Sequence, residues 1–174
     1  PYLADVARLD WAVHRAGCAA DSVDGVSGLE RLADTDPQRL YAEFAPGAAL
    51  VDSVHPIVSL WQAHSVTGPV AGLTQAQALA AAAQALRAGR PECAWVWRAG
   101  WAVQVDRLDP ADVRFTASLL AGASLAQALE AGMAVPAPAE PRAGDTRDAP
   151  FAFDQWLVRA LRAGWLQSWR FVSA

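Results

Sequence analysis

The sequence predicts a mixed α+β fold, in which a mainly helical first part is followed by a β-hairpin, three helices and a closing strand. Three observations predict it. Apolar side chains recur every three or four residues in Leu3, Val6, Leu9 and Val13, the spacing of an amphipathic helix. Trp101-Ala-Val-Gln-Val-Asp-Arg107 instead alternates apolar and polar residues at the two-residue period of a half-buried strand. Helix start and stop signals then follow one another down to residue 164.

The first helix is expected over Tyr2 to Ala16, with Asp5, Arg8 and Arg15 off its apolar stripe. Residues 21–28 read as a loop, and Leu29 to Tyr41 as short helical pieces broken at Pro37. Phe44-Ala-Pro-Gly-Ala-Ala-Leu-Val51 holds a Pro-Gly turn between apolar runs, which predicts an irregular extended segment or a hairpin. Pro56 opens a helix carrying Ile57, Leu60 and Trp61. Ser65 to Gly72 reads as a linker, and the Ala- and Gln-rich run Thr74 to Ala88 as a partly exposed helix of high intrinsic propensity. Gly89-Arg90-Pro91 ends that helix and sets the expected boundary between a domain of residues 1–89 and one of 90–174.

The second domain opens on Glu92-Cys-Ala-Trp-Val-Trp-Arg98, a turn at Ala99-Gly100, and the alternating run to Arg107. Gly100 lets a tight turn take positive φ. Asp109 as N-cap, Pro110 at the first helical position and Asp112 in the first turn start a helix that should reach about Ala121. Ser124 and Gln127 form a capping box for a second helix, Leu125 to Ala131, expected to stop at Gly132. A Pro-rich loop spans 134–149. A third helix, Phe153 to Ala163, places Trp156, Leu157, Ala160 and Leu161 at core spacing and ends at Gly164; Trp165 to Val172 is the closing strand. Hairpin, crossed helix pair, third helix and strand together make a winged-helix-like recognition module.

At 174 residues and 53% apolar content the chain can hold one ordinary domain or two small ones. No apolar stretch approaches the roughly 20 residues of a membrane helix. With no leader pattern at its start, and with Cys18 and Cys93 single and far apart, a cytoplasmic setting is expected, both thiols packing as small apolar groups. All 14 basic residues are Arg, and they are unevenly placed: residues 1–86 carry 4 Arg against 9 acids, and residues 87–174 carry 10 against 9. A nucleic-acid reader needs a basic face, so the near-neutral second half disfavours that class.

The chemistry-bearing motifs point away from an autonomous active site. His14, His55 and His64 have no metal-binding spacing, and the GxSxG, Walker and GxGxxG signatures do not occur. Asp5 and Asp10 stand five apart, off a common helix face. No catalytic residue, metal ligand or cofactor is expected. Of the eight tryptophans, Trp95, Trp97, Trp101, Trp165 and Trp169 fall in the predicted strands; they build a core, or some line an interface where Trp and Arg are enriched. Arg98, Arg107, Arg159, Arg162 and Arg170 are either the rim of such an interface or a solvated face.

Pro1-Tyr-Leu-Ala-Asp-Val-Ala-Arg-Leu-Asp-Trp-Ala-Val-His-Arg15, Val54-His-Pro-Ile-Val-Ser-Leu-Trp61 and Val96-Trp-Arg-Ala-Gly100 resemble the HvfC/BufC family, whose members were long labelled DNA-binding proteins. The likeness runs over nearly the whole chain, apart from residues 74–88 and 134–149; on it, the family's N-terminal helical domain is absent from this chain. The resemblance implies a non-catalytic partner of a multinuclear non-heme iron enzyme of the BufB/MbnB type. Such pairs turn cysteines of ribosomally made precursor peptides into copper-binding groups. The second half is similar to the PqqD-like recognition element, which takes a leader peptide as an added strand packed on its third helix. Carried onto this sequence, that mode implies peptide contacts at Val103 and Val105 of the second hairpin strand and at Arg159 and Arg162 of the third helix. The competing expectation is a DNA-binding winged helix, in which the second or third helix enters the major groove; Gln127 is then almost the sole base-reading side chain on the second.

Overall fold

The computed structural model describes residues 2–22, 25–64, 74–134 and 151–172, and has the mixed α+β class that the periodicities predict. The expected linker 65–72 and nearly all of the Pro-rich loop lie outside the described residues. In chain order come α1 (Leu3–Gly17), α2 (Arg31–Asp34), a 3₁₀ turn (Pro37–Arg39), β1 (Leu40–Phe44), β2 (Ala49–Ser53), α3 (Ile57–His64) and α4 (Gln75–Arg87). Then follow β3 (Glu92–Ala99), β4 (Ala102–Leu108), α5 (Pro110–Leu120), α6 (Leu125–Met133), α7 (Phe153–Ala163) and β5 (Leu166–Phe171).

Local chemistry sets most of these bounds. Thr74 with Gln77, and Ser124 with Gln127, close full capping boxes on α4 and α6. Gly164, at φ 69°, ends α7 with its amide turned back to Leu161 O at 3.3 Å. The expected stop at Gly132 is not observed, since α6 runs on to Met133. Gly132 serves close packing instead: a Cβ there would lie 3.1 Å from the Phe151 ring and 3.3 Å from Phe115 Cβ. The segment 44–51 contains the ends of two strands, but β1 and β2 do not pair with each other. Gly47 (φ +80°) turns the chain against the end of α1, where a Cβ would come within 2.9 Å of Ala16 Cα.

Two antiparallel sheets result. β2, β3 and β4 form one with β3 central, and β1 pairs with β5 in the other. The boundary expected at residues 89/90 is therefore crossed by both sheets, because β2 completes the hairpin sheet and β1 receives the closing strand.

The three-stranded sheet is covered on both faces. Ala94, Val96, Val105 and Val51 pack against Leu9, Ala12 and Ala16 of α1 and Ile57 and Val58 of α3. On the opposite face Trp95, Trp97 and Leu108 meet Phe115, Leu119, Leu125, Trp156, Trp165 and Trp169. The tryptophans thus divide: five fill this core, whereas Trp101 at the hairpin tip is 91% exposed and Trp11 is 62% exposed. Each large side chain so buried contributes roughly 1.5–3 kcal/mol. The expectation for the two thiols holds for Cys93, which is buried, and is corrected for Cys18, which is exposed at the end of α1. Among the described residues no helix is long and apolar enough to cross a membrane.

Candidate functional site

The outer edge of β4 is the starting point, because among the described residues no strand pairs with it. Ala99 and Ala102 close a two-residue turn, so the hydrogen-bonded pairs of the β3–β4 ladder alternate from there. Ala99–Ala102, Trp97–Gln104 and Trp95–Asp106 exchange bonds, and Val103, Val105 and Arg107 turn their main-chain groups outward. A contact agrees with this: Gln62 Nε2 of α3 donates to Val105 O at 3.1 Å. One acceptor of the edge is therefore already engaged by a side chain.

Of the four residues expected to touch a peptide, Val103 and Val105 lie on this edge, but their side chains point into the layer under α1. Val105 is 4% exposed, and Val103 is half-buried at the end of α1, near Gly17. The strand offers its backbone there. Arg159 ion-pairs with Asp112 of α5, whose carboxylate side chain is only 10% exposed. Burial raises the Asp106 carboxyl of β4 above its ordinary value, and the charge of Arg159 partly offsets this. Arg162 is exposed one turn further along α7. Arg159 is thus engaged in an ion pair that leaves it less available than an arginine without one.

Where β4 runs into α5, a cleft of about 410 Å³ opens between α5 and α7. Asp109, Asp112, Asp154, Gln155 and Arg159 are among its polar lining, and Phe151 and Val158 among its apolar walls. These carboxylates do not converge: among the described residues no three His, Cys, Asp or Glu side chains gather as a metal-binding cluster. From sequence, Asp109 and Asp112 register only as helix-start residues, and nothing local marks Gln62. Glu92 was equally illegible. It is 4% exposed and accepts from Ser59 N at 2.9 Å and Ser59 Oγ at 2.6 Å, which fixes the start of α3 to β3. A larger groove of about 490 Å³ lies between α1 and α3, lined by Leu3, Val6, Leu60 and Trp61. Its rim residue His64 is held to Leu60 O at 2.8 Å. No family model matches the chain, and neither the curated proteins nor the solved structures contain a significant match.

Proposed function

We propose that this chain is a peptide-recognition subunit, without a catalytic centre of its own, in which β4 accepts a precursor peptide as an added strand beside α7. One observation carries the proposal: the outer edge of β4, which no strand among the described residues pairs with, and along which the main chain of Val103, Val105 and Arg107 faces outward. Main-chain pairing on such an edge gives affinity, and the neighbouring pockets give selectivity. The order β3, β4, α5, α6, α7 supports a winged-helix-like reading of this half, with α7 as the third helix. The resemblance of residues 1–15, 54–61 and 96–100 to the HvfC/BufC family supports the partner. That partner is a multinuclear non-heme iron enzyme of the BufB/MbnB type, to which the cytoplasmic subunit presents a precursor whose cysteines become copper-binding groups. The subunit itself carries no cofactor in this reading. DNA binding is disfavoured, since residues 87–174 carry 10 Arg against 9 acids, a near-neutral half where phosphate contacts need a basic face.

Co-expression of the full-length protein with its neighbouring reading frames tests this. An iron-containing subunit and a small cysteine-bearing peptide should co-purify, and the amide signals of Val103, Val105 and Arg107 should shift when that peptide is added. Arg162→Glu should change the peptide's affinity; an unchanged affinity removes Arg162 from the site. Arg159→Glu is a poorer probe, because it sets a carboxylate against Asp112 and Asp106. Salt-sensitive retention of duplex DNA with no response to peptide would overturn the proposal in favour of nucleic-acid binding.

A further inference from the structure

His14 and Cys18 stand one helical turn apart at the end of α1, and both are exposed. Cys18 N donates to His14 O at 3.0 Å, which closes the last turn of the helix beneath the two side chains. The inner side of α1 is fixed, because Leu9, Ala12 and Ala16 are packed in the core under the three-stranded sheet. On the outer side Trp11 stacks on the imidazole, with ring centroids 5.4 Å apart and 28° between the planes. The ring so placed brings Nε2 to 3.8 Å from Cys18 Sγ. A zinc ion bonds thiolate sulfur at about 2.3 Å and imidazole nitrogen at about 2.0–2.1 Å, so two ligands of one tetrahedral ion lie about 3.6 Å apart. The pair therefore has nearly the bite that one ion needs. Its place at the C-terminal end of a helix adds the partial negative charge of the last carbonyls, which favours a cation.

The donor types choose the ion. One sulfur and one imidazole nitrogen suit a borderline-soft divalent cation such as zinc, whereas calcium and magnesium take oxygen ligands. Two donors fill half of a closed tetrahedral site. Among the described residues no third His, Cys, Asp or Glu joins them. A second copy of the chain, related by a two-fold axis, supplies the same pair again. Two thiolates then cancel the charge of the ion, so the exposed Arg15 next in sequence to His14 meets no net positive charge. Trp11 argues for the copy independently: it is 62% exposed beside the donors, and tryptophan is a residue that buried interfaces favour. We propose that His14 and Cys18 bind zinc, and that the ion joins two chains through a site of two histidines and two cysteines flanked by the two Trp11 rings. The site uses no residue of β4 and stands apart from the strand-addition reading.

The test titrates the full chain, kept reduced, with cobalt(II), which takes the place of zinc and reveals thiolate ligation as a sulfur-to-metal charge-transfer band. The band should saturate at one ion per two chains, and sedimentation with zinc should show the mass doubled. EDTA should reverse both effects, which distinguishes a zinc-held dimer from a disulfide-linked one. Cys18→Ser and His14→Ala should each abolish the band and the doubling; both replace exposed side chains and leave Leu9, Ala12 and Ala16 in place. A band from a chain that stays monomeric at saturation overturns the second copy and leaves the chelate standing. The absence of a band, or a band that survives either substitution, overturns the site altogether.

Discussion

Cys18 and Cys93 carry the same thiol in opposite environments. Cys93 is 7% exposed within β3; burial, and to a smaller degree the Asp52 carboxylate, push its pKa up to about 12. Cys18 is exposed, with Sγ 3.8 Å from His14 Nε2. Because the thiolate is the nucleophile, iodoacetamide at about pH 8 should add once to the folded chain and twice after denaturation. Intact mass reads the difference, and two fast additions to the folded chain would contradict the burial of β3. Asp106 gives a pH-dependent counterpart. A carboxyl with a raised pKa in the folded state contributes stability below its unfolded pKa, and that contribution is lost as pH rises through the folded value. Asp106→Asn removes the loss, so the variant's thermal midpoint should exceed the parent's above the ordinary carboxylate range and converge with it in stronger acid. A variant less stable at neutral pH would mean that the attraction of Arg159 outweighs the desolvation.

Between elements, single polar contacts lock the apolar core. Trp156 of α7 donates from Nε1 to Thr116 Oγ1 of α5 at 3.0 Å, and both residues are fully buried. Thr116→Val keeps the shape and removes the acceptor, so it should cost about 1–3 kcal/mol, measured by urea unfolding. A neutral result would show that the indole finds another partner. Contacts of this kind separate what the sequence reveals from what it hides. The span of α7, the cap of α6 and the β3–β4 hairpin were legible because each is written in neighbouring residues: Gly164, Ser124 with Gln127, and Gly100. The partners of strands were not. Leu40–Phe44 was partly absorbed into expected helical pieces, because its identity as a strand depends on Leu166–Phe171, more than 120 residues away. The candidate site divides in the same way. Val103 and Val105 were legible as strand positions, whereas the cleft beyond them forms only when α5 and α7 pack together.

For the whole molecule, the pairing of β2 with β3 and of β1 with β5 ties the first half to the second. Residues 90–174 produced alone should fail to give a dispersed amide spectrum and a cooperative melt, since β3 and β5 each lose a partner strand. A well-folded fragment would show that the hairpin and its helices are self-sufficient. The full chain should instead unfold in one transition. At the opposite rim, Gln62 has a consequence for life in a crowded solution. An open β-edge invites indiscriminate polymerisation, and an amide resting on one carbonyl is a light latch against it. Stray segments that offer a bond or two gain little by lifting the latch, while a visitor that matches the whole row, as strand addition requires, would displace it.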